Sequence, residues 1–311
     1  MRKKRIRAAL FSGAFLLFLF LMDYPYLSRF YNDHISGNVI ASFQKSEQDA
    51  DCERRLQWAR TYNRYLAGKG ECPERLPDMQ PVSEKASDDQ SERAEESAVL
   101  HEERETPMPA ARREWLDAAR VLCLERTNLA GWIRIPCLDL ILPLYIGTDD
   151  AALSKGAGIL EERSLPVGGD GTHACISAHR GLPDRTLFTN LDMLKAGDSI
   201  EVHTLGRTIR YEVFDFETVI PTDTKALAIL PGKDLLTLIT CTPYGINSHR
   251  LYVHARRRED TAADRENPSE GSLFSILSRL TDPVFWKLWW WAAATPILLL
   301  FLILLVRRSL R

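Results

Sequence analysis

The chain has 311 residues, and its 40 basic and 42 acidic side chains leave a formal net charge of only −2. This length accommodates one well-packed domain with flanking segments, or two modest domains. A near-neutral balance gives no electrostatic basis for attracting nucleic acid, so no nucleic-acid partner is predicted.

Two apolar runs lie near the ends of the chain. The second, residues 288–306, holds no charge over 19 residues, close to the roughly 20 that a membrane-spanning helix needs. Tryptophans crowd its leading end, as in an interfacial aromatic belt. The first, residues 8–22, is shorter, and a cleaved signal peptide is the competing interpretation. No small-residue cleavage site follows it, which favours an uncleaved anchor.

Basic residues lie outside both apolar runs, and the positive-inside rule therefore predicts that both termini are cytoplasmic. The sequence predicts a two-span protein of the cell membrane whose middle part is extracytoplasmic, with the lipid bilayer as one partner. The predicted terminal segments are a basic tail at 1–7, an anchor at 8–22, a transmembrane helix at 286–306 and a basic tail at 307–311.

The middle of the chain divides by composition. Near-helical spacing of apolar residues predicts helix between Tyr31 and Leu66, and residues 77–113 are polar and poor in large apolar side chains. A short helix is predicted at 114–124. The predicted segments are a helical extension at 23–76, a flexible, lid-like segment at 77–128, a β-domain at 129–258 and a polar linker at 259–285.

The β-domain consists of short apolar or alternating runs separated by Gly and Pro turns. This pattern predicts a mainly β fold, a closed or nearly closed barrel with short helices. A Gly206-Arg207 link between two such runs predicts a type II′ hairpin. The predicted strands are 132–136, 140–145, 172–179, 200–205, 208–214, 235–241 and 251–255.

Three residues at the ends of strand-like runs carry the chemistry of a cysteine acyl-transfer site. Cys241 supplies a thiol, His179 an imidazole and Arg250 a permanent cation, which are the nucleophile, proton carrier and oxyanion partner of such a site. If the strands before and after the intervening loop are neighbours, Cys241 and Arg250 face each other. No cofactor or metal is implied by this chemistry.

Each of these residues taken alone has an ordinary explanation. A histidine is more often structural, a free cysteine is usually buried and inert, and an arginine is usually a solvated charge. A metal site of His173, Cys175 and His179 is disfavoured, because their spacing along one strand lacks a further ligand. The six cysteines form no dense disulfide framework; Cys52 and Cys72 could pair, and the others are left open.

The motif Thr237-Leu238-Ile239-Thr240-Cys241 with Arg250 downstream closely resembles the active-site signature of sortases. The segment 171–183 around His179 resembles the sortase histidine strand. Further segments at 132–136, 156–158 and 164–169 are similar to the class C, pilus-assembling branch of that family. The resemblance covers about residues 129–257, and it implies a sortase barrel and a cysteine transpeptidase of Gram-positive bacteria.

The resemblance implies a substrate and a mechanism. Pilin or surface proteins carrying an LPxTG-like sorting signal would be cleaved between Thr and Gly by the Cys241 thiolate, leaving a thioester. His179, as imidazolium, would support the thiolate and carry the protons, and Arg250 would stabilise the oxyanion or hold the substrate. In class C the acceptor is a lysine amine of a second pilin.

One departure from class C concerns the lid. Those enzymes usually carry an Asp-Pro-aromatic motif before the barrel, whereas none occurs between Tyr31 and Leu129, where Pro77-Asp78-Met79 comes nearest. Three alternatives are therefore left undecided at this point: the lid is divergent, it is mobile, or it is absent.

Three alternatives compete with a pilin-polymerising enzyme. A housekeeping-type sortase would join surface proteins to cell-wall peptide instead of pilin lysine. A papain-like protease is disfavoured, because in such enzymes the nucleophile precedes the histidine and begins a helix. In this sequence His179 comes first, and Cys241 ends a predicted strand. A non-catalytic membrane-anchored β-domain would leave the joint presence of Cys241, His179 and Arg250 to chance.

Overall fold

The computed structural model describes residues 31–48, 50–77, 109–124 and 127–259, with a few residues before 31. Residues Asp33–Glu259 form one compact unit. A second unit comprises Met1–Asn32 and Asp260–Arg311 and falls almost wholly outside the described residues.

Eight strands form a closed barrel in the order β1-β2-β3-β4-β7-β8-β6-β5, with β5 returning to pair with β1. Two neighbouring pairs, β2–β3 and β4–β7, are parallel, and the others are antiparallel. The prediction of a mainly β, closed barrel is confirmed. The strands are β1 (Leu129–Ile135), β2 (Leu140–Ile146), β3 (Ala157–Ile159), β4 (Thr172–Ser177), β5 (Ser199–Thr204), β6 (Arg207–Val219), β7 (Asp234–Thr242) and β8 (His249–Arg257).

Helices precede and interrupt the barrel. They are α1 (residues 31–48), α2 (Cys52–Leu66), α3 (Ala110–Ala119) and the single turn α4 (Asp150–Leu153), with short 3₁₀ turns between strands. The helix predicted through 31–66 is broken before α2, where the Asp51 side chain accepts a hydrogen bond from the Arg54 amide and caps the new helix. The short helix predicted at 114–124 begins earlier, at Ala110, and continues as a 3₁₀ turn.

Helices α2 and α3 share one hydrophobic cluster with the barrel interior. Polar side chains fix α2 in place from within this core. The buried Arg55 guanidinium donates to the backbone oxygens of Val121 and Cys123 at 3.1 and 3.0 Å. The Asn63 amide exchanges two hydrogen bonds with the Leu165 backbone, at 2.9 and 2.8 Å. The helices therefore belong to the folded core.

The hairpin between β5 and β6 turns differently from the prediction. Thr204 pairs with Arg207, so the two linking residues are Leu205 and Gly206. Both have positive φ, 48° and 71°, which is the pattern of a type I′ turn. The predicted Gly206-Arg207 link of type II′ is therefore wrong, because the register moves one residue and makes Arg207 the first residue of β6.

The membrane predictions fall outside the described ranges. Within those ranges, no helix combines the length and apolar character that crossing a bilayer requires. Nearly all of the predicted spans at 8–22 and 286–306 and of the linker at 259–285, and most of the lid-like segment, lie outside the described residues. All six cysteines lie in the described ranges, and each is a free thiol, including Cys52 and Cys72.

Candidate active site

The three predicted site residues fall on one row across adjacent strands. On the antiparallel β7–β8 ladder, Cys241 pairs directly with Arg250. On the parallel β4–β7 ladder, the last pair is Ser177 with Ile239, at a constant offset of 62 residues (239 − 177). If this ladder is continued by two residues, His179 lies opposite Cys241. Two hydrogen bonds continue the contact between the two strands beyond Ser177. The Ala178 amide donates to the Ile239 oxygen at 3.2 Å, and the Thr240 hydroxyl donates to the Ala178 oxygen at 3.0 Å.

The row lies on the outer face of the barrel. Along β7, Leu236 and Leu238 belong to the interior cluster, and because side chains alternate across a strand, Cys241 points the opposite way. Cys241, His179 and Arg250 are each partly exposed. A thiol in this position is fixed by its strand and still open to a substrate.

No hydrogen bond joins these three side chains in the described part of the chain. The Arg250 guanidinium instead donates to the backbone oxygens of Asn247 and His249, at 3.3 and 3.2 Å. Catalytic hydrogen bonds often tighten only when substrate binds. The row therefore brings the right groups together and leaves their final contacts to a ligand.

A small apolar cluster supports the row from one side. Ile239 lies two residues before Cys241, and Tyr252 lies two residues after Arg250, on the same outer face. Leu227, from the connection between β6 and β7, covers both, and the Tyr252 hydroxyl donates to the Asp223 oxygen of that connection at 3.1 Å. This connection is thus attached directly beside the candidate site. The cluster consists of Cys175, Val219, Leu227, Ile239 and Tyr252.

Next along the same face, Thr237 links two histidines in a buried hydrogen-bond chain. Its hydroxyl lies 2.7 Å from Nε2 of His173 and 2.8 Å from Nδ1 of His254. The other ring nitrogen of His173 lies 2.9 Å from the Ala228 oxygen, and His254 Nε2 lies 3.6 Å from a Glu217 oxygen. The chain therefore joins β4, β7, β8 and β6 to the covering connection.

The proton positions in this chain follow from its one obligatory acceptor. The Ala228 carbonyl can only accept, so His173 donates from Nδ1. Burial lowers the pKa of His173, and the nearby His254 and Arg163 charges act in the same direction although the bond to Ala228 opposes it. Neutral His173 then accepts from the Thr237 hydroxyl, and Thr237 accepts from His254. Both ring nitrogens of His173 and the Thr237 hydroxyl are therefore engaged, as in a structural support.

These contacts argue against a metal site of His173, Cys175 and His179, which the sequence already disfavoured. His173 has both ring nitrogens engaged, and Cys175 is buried in the apolar cluster, where burial raises the pKa of its thiol to about 12. Sequence reasoning missed the roles of Thr237 and His254. The available signal was the two-residue spacing of Thr237, Ile239 and Cys241, which puts them on one face of β7.

The sequence of the barrel matches a known protein family. A profile of the family described as "Sortase domain" matches residues 133–258. The curated sortase A of Streptococcus agalactiae serotype III (strain NEM316) is 32% identical over 128 residues, covering 40% of this chain and 51% of that protein. Sortase A of Staphylococcus aureus (strain NCTC 8325 / PS 47) is 33% identical over 124 residues, covering 39% and 58%. The chain thus spans only about half the length of such curated relatives.

Solved structures match over more of the chain. Sortase C1 from Streptococcus agalactiae is 33% identical, with a TM-score of 0.56, and the match covers 72% of this chain and 100% of that one. The chain belongs to the sortase family. Streptococcus pneumoniae sortase C is 35% identical, with a TM-score of 0.54 and coverage of 72% and 98%. The structural neighbours of this sortase are thus class C enzymes, which confirms the resemblance, and its family is one of cysteine transpeptidases.

Proposed function

We propose that this sortase cleaves an LPxTG-like sorting signal between Thr and Gly and transfers the acyl group to a lysine amine of a pilin. The observation that carries the proposal is the row of His179, Cys241 and Arg250 at the ends of three adjacent strands. That row offers nucleophile, proton carrier and cation to one carbonyl group.

In the first half of the reaction, the Cys241 thiolate attacks the threonine carbonyl carbon of the sorting signal. The carbonyl π electrons move to oxygen, and Arg250 stabilises that oxyanion by charge-assisted hydrogen bonds. When the C–N bond breaks, His179 gives its proton to the departing glycine amine. A thioester on Cys241 is left.

In the second half, the incoming amine attacks the thioester carbonyl and gives its proton to His179. The new C–N bond forms as the C–S bond breaks, which restores the Cys241 thiolate. With a lysine amine the product is an isopeptide bond between two pilins. Water in place of the amine gives slow hydrolysis.

Exposed apolar side chains support a peptide substrate with apolar residues. Tyr244 and Ile246 lie exposed in the connection between β7 and β8, and Ile220 lies exposed directly after Val219, which pairs with Arg250. All three lie at the end of the barrel that carries Cys241 and Arg250. Apolar surface beside the nucleophile suits the leucine and proline of such a signal.

The choice of pilin as substrate rests on the class C neighbours. One neighbour is described as sortase C1 of pilus island 1, and the Streptococcus pneumoniae enzyme is described as having pilin substrate specificity. We further propose that residues 8–22 and 286–306 anchor the enzyme in the membrane with its barrel outside. Enzyme and substrate on one membrane surface meet at raised effective concentration.

The alternative acceptor is a cell-wall peptide amine, as in a housekeeping enzyme. The observation that favours it is that four of the five curated relatives are named sortase A. Nothing in the row of three residues distinguishes the two acceptors.

The test measures cleavage of a fluorogenic LPxTG-type peptide by the full chain, with either a pilin-like lysine peptide or a cell-wall-type amine as acceptor. We expect Cys241→Ala to abolish cleavage and His179→Ala and Arg250→Ala to lower kcat by at least about a hundredfold each. Matched controls are Cys137→Ala, His34→Ala and Arg256→Ala, which change the same residue types away from the row.

The product decides between the acceptors. A lysine-joined product that depends on Cys241 supports the pilin proposal, whereas joining only to the cell-wall amine assigns the housekeeping activity. Cleavage that survives Cys241→Ala, or no thioester on Cys241, contradicts both.

A further inference from the structure

We propose that Arg180 is a positioning residue, which holds the strand end bearing His179 against the strand end bearing Cys241. Arg180 directly follows His179, and it reaches the side chain of Thr242, which directly follows Cys241. The inference deepens the proposed function and rests on it, because it concerns the alignment of the same two groups.

The guanidinium of Arg180 lies between two loops and is almost enclosed, with 8% of its side chain exposed. Its Nη2 forms an ion pair with an Asp192 carboxylate oxygen at 2.6 Å, and its Nη1 lies 3.5 Å from the Thr242 hydroxyl. A buried charge is unfavourable unless it is paired, and Asp192 supplies that partner. Arg180 thus connects the segment after β4 to the end of β7.

Tyr244, in the loop between β7 and β8, lies against the Arg180 side chain. The Arg180 guanidinium carbon lies 5.9 Å from the centre of the Tyr244 ring, within range of a cation–π interaction. The same ring lies over Gly181, where an added Cβ would come within 3.0 Å of it. Gly181 also has φ of +81°, a conformation that other residues rarely adopt. The two loops therefore fit together closely at this point.

The segment that carries His179 is tied down at its other end as well. The Phe188 amide donates to the His179 oxygen at 3.1 Å, and the Phe188 ring is buried in the main core. The Gly181 amide donates to the Thr189 hydroxyl at 3.1 Å. The residue before His179, Ala178, is bonded to β7, and Arg180 then holds the residues after His179 against the end of the same strand.

Arg180 acts through the backbone and does not touch the reacting atoms. Side chains alternate along β7, so Thr242 lies on the other side of the sheet edge from Cys241, and the contact with Thr242 places the Arg180 guanidinium on that side. Small displacements of catalytic groups cost rate much more than binding. Loss of Arg180 should therefore lower kcat and leave KM almost unchanged.

The experiment compares Arg180→Met, Arg180→Lys and Asp192→Asn with the full wild-type chain, using the fluorogenic peptide. We expect Arg180→Met to lower kcat about tenfold with KM within about twofold of wild type. Arg180→Lys keeps the charge but lacks the planar fork, so it should recover kcat to within about threefold of wild type. The matched control is Arg207→Met, which removes an exposed ion pair with Glu53 and should change neither constant.

A second readout is independent of peptide cleavage. The rate at which iodoacetamide alkylates Cys241 at pH 7, followed by mass spectrometry of its peptide, should fall in Arg180→Met and not in Arg207→Met. This readout separates the two proposals: if the wild type does not cleave the peptide, the proposed function fails, while a slower alkylation still supports positioning by Arg180.

Three results would overturn the role of Arg180. They are a kcat within twofold of wild type in Arg180→Met, a loss expressed only in KM, and an unchanged alkylation rate. If Arg180→Met does not fold, as judged by its thermal unfolding, the same kinetic and alkylation measurements are made on Asp192→Asn, which removes only the ion-pair partner of the guanidinium. The same three results in that variant would overturn the role of Arg180.

Discussion

His173 shows how a single buried residue can make the stability of this sortase depend on pH. Its ring is enclosed between the Ala228 oxygen and the Thr237 hydroxyl, and burial lowers its pKa below the ordinary value of 6.5. In the unfolded chain the imidazole takes up a proton as the pH falls through about 6.5, whereas the folded form resists protonation until lower pH. Acid therefore favours the unfolded state.

We predict that the free energy of unfolding falls as the pH drops below about 6.5, with this residue contributing at most about 1.4 kcal/mol per pH unit. In His173→Gln that contribution is lost, so the pH dependence becomes shallower. Urea unfolding at pH 7.5, 6.5 and 5.5 measures it. Equal slopes in wild type and His173→Gln would contradict the argument, and His34→Gln, at an exposed position on α1, is the control.

At the scale of elements, strand β1 depends on one glycine. Gly131 has φ of +151° at a register shift between β1 and β2. A Cβ at this position would lie 1.9 Å from the backbone oxygen of His203 on β5. Backbone atoms of a paired strand cannot move away without breaking the ladder, so the close approach of β5 requires a residue without a side chain.

Gly131→Ala is expected to destabilise the fold by at least about 3 kcal/mol, because it combines a backbone clash with a strained φ. Gly197→Ala is the matched control, since Gly197 has φ of +94° but nothing within 4 Å of an added Cβ. It should cost only about 1 kcal/mol of conformational strain. Chemical denaturation of both variants tests this, and equal losses would show that the clash is relieved.

What the sequence could predict at this scale depended on how local the signal was. Seven of the eight strands follow from short alternating or apolar runs, whereas β3, only three residues long, was not predicted. The order of Cys241 and Arg250 around one loop made their pairing foreseeable. The hairpin turn was predicted one residue late, since Leu205 has no local feature that favours positive φ. The capped break at Asp51 was missed, although residues 44–55 hold no large apolar side chain and Asp is a favoured N-cap residue.

Contacts between distant segments could not be predicted. Nothing near Arg180 in the sequence indicates Asp192, Thr242 or Tyr244 as its partners, since the barrel topology alone brings these segments together. The same holds for the hydrogen-bond chain from Ala228 through Thr237 to His254. The family signature predicted Cys241, His179 and Arg250 as the reacting groups, and the three-dimensional fold revealed the residues packed around them.

At the scale of the whole molecule, the residues before the barrel are part of its core. Trp115, Leu56 and Tyr62 lie in the same hydrophobic cluster as the barrel interior and are almost fully buried. Arg55 and Asn63 add buried hydrogen bonds across the contact. Helix α2 therefore differs from a lid, which would have to leave the barrel surface without exposing the core.

Two truncations test this distinction. A chain that begins at residue 31 should keep the cooperative thermal unfolding of wild type. A chain that begins at residue 77 lacks α1 and α2, exposes the apolar surface that they cover, and should lose cooperative unfolding or precipitate. Retained cooperative unfolding in the shorter chain would show that α2 is a removable lid.

The parallel pairing of β4 with β7 also has a consequence for how the protein is made. Paired residues of the two strands lie 62 positions apart in the chain, and all of β5 and β6 comes between the strands. Closing a loop of this length costs about 4 kcal/mol of chain entropy beyond a constant term, and such non-local pairings form slowly. Until that pairing exists, Cys241 is an ordinary thiol with no imidazole beside it. In the proposed reaction, a newly made chain that has not yet folded therefore carries its nucleophile without the means to use it, and reactivity appears only when the barrel closes.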